Sequence, residues 1–145
     1  MHIIRLIYSS HAREGVGYRD FLEIMEKASE TNSELKITGI LCYGAGKFLQ
    51  ALEGERMVVN ALYHHISVDE RHAYCQLLAV EDAETRDYAE WTMKVVDWSH
   101  AERVDSRALL LDRSGLSHFD PDLMSGAQAS EFLRGLAASE RALLE

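Results

Sequence analysis

The chain has 145 residues, of which 47% are hydrophobic and one is proline, and its formal net charge is −9. This is the size and composition of one globular domain with a real core, not of a disordered tract. An acidic chain without a basic patch is a poor partner for nucleic acid or for an anionic membrane surface.

Residues 3–10, IIRLIYSS, form a β-branched run ending in polar residues and predict a first strand. The apolar run is too short for a signal peptide, and no stretch approaches the roughly 20 apolar residues of a membrane span. Phe21, Ile24, Met25 and Ala28 recur with a helical period and predict a first helix. KITGILCY and KFLQALE, joined by a glycine-containing loop at residues 44–46, read as a hairpin. Val58, Leu62 and Ile66 stand four apart on a second amphipathic helix. AYCQLLAVE and AEWTMKVVDW read as two further strands. The order βαββαββ predicts an α+β, ferredoxin-like sandwich over residues 1–98.

Residues 99–145 then form a short C-terminal helical extension. SHAERVDSRALLLDRSG predicts one helix and the FDPDLMSGAQASEFLRGL stretch another, with Asp120 as cap and Pro121 at its first position. Leu109, Leu110, Leu111, Phe132, Leu133 and Leu136 are apolar enough to cover the bare face of the sheet or an oligomer interface. Cys42 and Cys75 lie in apolar runs and form no CxxC pair, which argues against a disulfide framework or zinc site. They read as small core residues in a reducing compartment, and the expected localisation is cytoplasmic.

One polar residue does not fit a dry core. Gln50 lies between Leu49 and Ala51 in an apolar strand, and a buried amide left without partners costs about 1–3 kcal/mol. Alternation puts Ile4, Leu6 and Tyr8 on one face of the first strand, Phe48, Gln50 and Leu52 on one face of the third, and Trp91, Met93 and Val95 on one face of the last. Ile24, Ala28 and Asn32 stack on the first helix, and His65 and Asp69 stand four apart near Ile66. Each polar residue alone has an ordinary structural reading. Together they make a slot between Ile24 and Ile66, rimmed by amide, phenol and carboxylate, that suits a flat heteroaromatic ligand. There is no GxGxxG, P-loop, HExxH or GxSxG, and the histidines are scattered, so neither a metal site nor acid–base catalysis has support.

The segments RLIYSS, TNSELKITGILCY, KFLQALEGE, DERH and WTM resemble, in order and spacing, the BLUF family of blue-light sensors that use flavin. The resemblance covers residues 1 to about 98, and the length is similar to that of stand-alone members. It implies a photoreceptor, not an enzyme, with non-covalently bound FAD. By resemblance Tyr8 is the photoactive tyrosine and Gln50 the switching glutamine, joined to Tyr8 on one side and to the flavin N5/O4 edge on the other. Ile24 and Ile66 sandwich the ring, while Asn32, Thr31, His65, Asp69, Arg71 and His72 complete the flavin contacts. Trp91 and Met93 carry the output. His65 and Thr31 depart from the family pattern, which often has Arg at the first position and Asn or His at the second. The resemblance further implies a reversible red-shifted state, a downstream regulatory protein reached by protein–protein contact, and a homo-oligomer, dimer or larger. A flavin oxidoreductase and a light-insensitive flavin-binding interaction module are the alternatives.

Overall fold

A computed structural model describes residues 2–98 and 104–143. In chain order it contains β1 (Ile3–Ala12), α1 (Tyr18–Leu35), β2 (Thr38–Gly44), β3 (Lys47–Glu55), α2 (Arg56–Ser67), β4 (His72–Asp82), β5 (Lys94–Asp97), α3 (Val104–Ser114), a 3-10 turn (Pro121–Leu123) and α4 (Gly126–Ala142). Of the two expected tail helices, residues 99–103 of the first and 144–145 of the second lie outside the described residues.

The sheet order is β4-β1-β3-β2-β5, with β2 and β5 parallel and the other pairs antiparallel. This is the expected α+β arrangement. β1 and β3 are inner strands with helices over both faces, so both carry near-continuous buried runs. The β2–β3 hairpin closes through Ala45 and Gly46, whose φ angles of 52° and 73° suit a two-residue turn that follows the strand twist.

Alternation along the strands sorts the core into two layers. Ile4, Leu6, Tyr8 and Leu52 meet Val58, Val59, Leu62 and Ile66 of α2, and the neighbouring cluster of Phe21, Leu41 and Phe48 lies under Met25 of α1. On the opposite face Ile7, Ile40, Cys42, Leu49 and Ala51 pack against Leu110 of α3 and Phe132, Leu133 and Leu136 of α4. Burying each such side chain is worth about 1.5–3 kcal/mol, enough in sum to hold α4 on the sheet.

Three expectations need correction. The last strand is only four residues long, because Lys94 to Asp97 alone run beside β2. Before it, Trp91 N–H donates to the Tyr88 carbonyl and the Trp91 carbonyl accepts from Gly39, so residues 88–93 make a turn instead of a ladder. A Cβ on Gly39 would lie 2.0 Å from the Ala51 carbonyl oxygen and 3.1 Å from Met93, so glycine is needed where this turn crosses β2. Asp120 caps only the 3-10 turn; α4 starts five residues later, where Ser125 and Gln128 exchange capping bonds of 3.1 and 2.9 Å. Finally, Cys75 is half-buried on an edge strand, unlike Cys42 in the core.

Candidate functional site

Tyr8 and Gln50 face each other in register across β1 and β3. The Tyr8 hydroxyl donates to Gln50 Oε1, and the Gln50 amide nitrogen donates to Met93 Sδ at 3.2 Å. Both residues are buried, Tyr8 to 1% exposure and Gln50 to 4%. Burial foremost, with smaller effects from Cys75, Tyr63 and Asp69, holds the Tyr8 phenol far above its ordinary range. It therefore stays a neutral hydrogen-bond donor. The β1–β4 register breaks on either side of Tyr8 and Ser9, the kind of irregularity that re-aims side chains.

An inner cavity of about 70 Å³ is lined by Tyr8, Ile24, Asn32, Gln50, Ile66 and His72, among others. It adjoins a mouth of about 210 Å³ where Lys27, Thr31, His65, Asp69 and Arg71 join Ile24 and Ile66. Every residue expected to contact flavin thus lines one of these two spaces. A larger groove of about 580 Å³ between α1 and α2 shares Thr31, Leu62 and His65 but touches neither Tyr8 nor Gln50. Its lining is otherwise aliphatic, so the polar chemistry lies in the smaller space.

The rim is held by local bonds. Asn32, 2% exposed, sits in the last turn of α1 and donates to the Thr92 carbonyl at 3.3 Å. Its amide keeps a second N–H and a carbonyl oxygen for a ligand. Ser10 Oγ lies 2.8 Å from His72 Nδ1, and burial lowers the His72 pKa. His72 is therefore a neutral ring at neutral pH. Asp69 is gripped by Arg71 through two side-chain bonds of 2.9 and 2.6 Å and a backbone bond of 2.9 Å. These bonds, the side-chain ones above all, lower its carboxyl to about 2.

Trp91 and Met93 do not share a face as expected. Met93 packs against the Tyr8 and Phe48 layers, whereas Trp91 packs against the opposite cluster with α4. Turn geometry, not strand alternation, sets their directions. Arg141 of α4 sits 5.0 Å from the Trp91 ring centre, grips Glu90 and donates to the Asp87 carbonyl. The same turn is anchored from below by Glu53, which is fully buried. Glu53 accepts from Arg5 Nε at 2.9 Å, Thr38 at 3.0 Å, and the backbone N–H groups of Asp87 and Tyr88 at 2.7 and 3.0 Å.

The sequence reading missed Ser10, Tyr63 and the Arg5–Glu53 pair. Tyr63 packs on Tyr8 with ring centres 5.3 Å apart. Its place beside Leu62 on α2 hinted at a buried face but named no partner. Arg5 and Glu53 carried one signal, a charge inside an apolar strand. Among the described residues no His/Cys/Asp/Glu group is placed to hold a metal, and no helix is long and apolar enough to cross a membrane.

Comparison with known proteins bears on this arrangement. A family model described as sensors of blue-light using FAD matches residues 3–94. The chain is 31% identical over 129 residues to the blue light- and temperature-regulated antirepressor BluF of Escherichia coli K12, an alignment covering 89% of this chain and 31% of that protein. It is 37% identical over 89 residues to photoactivated adenylate cyclase subunit beta of Euglena longa, covering 61% of this chain and 10% of that one. The chain therefore spans a minor part of these curated relatives. Among solved structures, the photo-activated state of BlsA superposes with a TM-score of 0.82 at 28% identity, covering 92% of this chain and 94% of that one. The dark state of BlrB, a BLUF protein, gives 0.79 at 30%, covering 95% and 97%.

Proposed function

Because the chain belongs to the BLUF family, the sensors of blue light using FAD, we propose that it is a blue-light photoreceptor that binds FAD non-covalently and signals by rearranging the hydrogen bonds of Gln50. The carrying observation is the Tyr8–Gln50 pair, in register and hydrogen-bonded on the floor of the Ile24/Ile66 slot. The residues present fit a flavin. Two aliphatic side chains suit the faces of a flat ring, and Asn32, Gln50 and His72 offer donors and acceptors at its edge. Lys27 and Arg71 at the mouth suit a phosphate-bearing tail. The inner space is narrow, yet with its mouth it approaches the lower end of small-molecule pockets, roughly 300 Å³.

When bound and excited, flavin supplies a strong one-electron oxidant. Tyr8 is the residue that releases an electron with its phenolic proton, because burial denies it the phenolate. Gln50 takes that proton at Oε1, the atom that already accepts the Tyr8 hydroxyl, and its amide nitrogen would release one proton toward the bound flavin. An amide carries donor and acceptor in one plane, so it can rotate or tautomerise without leaving a charge behind. Once electron and proton have returned to Tyr8, Gln50 presents a changed edge to the slot and to Met93, which shifts the absorption to the red until the dark state recovers. Asn32 and His72 hold the ligand edge, Asp69 and Arg71 the mouth, and Thr31 and His65 complete it.

Residues 1–98 form the sensor, and residues 99–145 the extension through which it acts on a regulatory protein by direct contact. That action involves no turnover by this chain, and the protein works as a cytoplasmic homo-oligomer. Purification with FAD followed by light-minus-dark spectroscopy tests the reading. A yellow protein with a reversible red shift, obtained without added reductant, is expected; folded protein that stays colourless after incubation with FAD overturns it.

A further inference from the structure

We propose that Tyr63 is a second electron donor behind Tyr8, giving the protein a slow branch in which thiols in solution reduce the bound flavin through two tyrosines. The inference rests on the reading of Tyr8 as the light-driven donor, and goes beyond it by giving Tyr8 a route to solvent.

Tyr8 is sealed, at 1% exposure, so no dissolved reductant reaches its ring. Tyr63, on α2, is half-buried, and its ring packs on Tyr8 at 5.3 Å between centres with a 52° tilt. One ring of the pair is thus buried at the slot and the other reaches the surface. The competing donors are worse placed. Phe21 and Phe48 on this face have no transferable proton, and the Tyr43 ring packs on those two phenylalanines, whereas Tyr63 is the ring that packs on Tyr8. Trp91 and Trp98 pack into the cluster on the opposite face of the sheet. The Cys75 thiol influences both phenols, but burial, opposed by a bond from Ser10, keeps it protonated, and a neutral thiol is a poorer one-electron donor than a thiolate.

Tyr8 has given one electron and one proton to the bound flavin and is a neutral phenoxyl. Tyr63 passes one electron across the ring contact and loses its hydroxyl proton to water. Tyr8 takes up that electron and a proton handed back through Gln50 Oε1, which would be replaced from water at the mouth of the slot, and is a phenol again. The phenoxyl left at Tyr63 takes a hydrogen atom from a thiol, and two thiyl radicals couple to a disulfide. Each passage moves one hydrogen atom from thiol to flavin. It stays a minor branch because the Gln50 bond favours direct return of electron and proton to Tyr8.

The experiment illuminates the FAD-loaded protein continuously, without oxygen, in excess dithiothreitol, and follows loss of the yellow absorbance beside the red shift; samples frozen in light without thiol are read by electron paramagnetic resonance. Wild type bleaches slowly and shows a phenoxyl signal. Tyr63→Phe keeps the red shift, bleaches several-fold more slowly and loses the signal, and Tyr63→Trp, which keeps an oxidisable ring, restores bleaching. Wild-type bleaching speed in Tyr63→Phe with a normal red shift overturns the proposal, as does slow bleaching in both variants, which would make the contact one of packing alone. 3-Fluorotyrosine placed at position 63 perturbs folding least, and the lack of a fluorine splitting in the radical signal also refutes the relay. Absence of the red shift in wild type sinks the photoreceptor reading instead.

Discussion

The amide nitrogen of Gln50 donates to the sulfur of Met93 across 3.2 Å, while the amide oxygen of the same residue accepts the hydroxyl of Tyr8. A thioether is a weak acceptor. The amide is therefore tied firmly to Tyr8 and loosely to the turn that precedes β5, so a change in its orientation is felt first at Met93. That turn is held by Asn32 at Thr92, by Glu53 at Asp87 and Tyr88, and by Arg141 at Glu90 and Trp91. It joins the ligand face of the sheet to α4 on the other face.

Tyr8→Phe removes the transferable proton but keeps the ring, and Gln50→Leu removes both hydrogen bonds of the amide. Both variants are expected to fold, bind FAD and give no reversible red shift. Light-minus-dark difference spectra check this, and a full photoproduct in Tyr8→Phe would exclude Tyr8 as donor.

Met93→Ala deletes the acceptor that faces Gln50. The red shift should persist, while its transmission to α4 is lost. Trp91 should report that transmission through its fluorescence, since Arg141 and Lys94 lie 5.0 and 5.9 Å from its ring centre. A light-dependent Trp91 signal as large in Met93→Ala as in wild type would rule out this route.

Glu53→Ala takes one of three carboxylates from Arg5, which keeps Glu81, Asp87 and the Thr85 carbonyl, and strands two backbone N–H groups of the turn. Because Arg5 stays paired, the loss is set mainly by the stranded donors, about 1–3 kcal/mol for each one left buried without a partner. The urea midpoint should fall accordingly, and amide exchange at Asp87 and Tyr88 should quicken. A loss of stability without faster exchange there would mean that Glu53 does not anchor the turn.

Asp69 makes a signed pH prediction. Its carboxyl, lowered from 3.8 to about 2 chiefly by the Arg71 side chain, binds fewer protons folded than unfolded. Its contribution to stability is therefore complete above about pH 4 and disappears as the pH falls toward 2. In Arg71→Ala the carboxyl should titrate near its ordinary value and the window should close. Carboxyl-carbon NMR titration of both proteins measures this directly; equal pKa values would mean that Arg71 is not the cause.

Much of this protein was legible in its sequence because the signals involved are local. Alternation in residues 3–10 and 47–54 put Tyr8 and Gln50 on faces that meet, and helical spacing put Ile24, Asn32 and Ile66 on the walls above them. An amide in an apolar strand is an anomaly visible in the sequence itself. Other features depended on where distant backbone groups find partners. Trp91 and Met93 point to opposite layers because Gly39 and Tyr88 bond the turn between them, which no period in WTM encodes. The late start of α4 was decided by Ser125 and Gln128 winning over an equally plausible cap at Asp120. The contacts of Tyr63 with Tyr8 and of Arg5 with Glu53 join elements far apart in the chain, and only the closing of the sheet and the docking of α2 decide that these side chains meet.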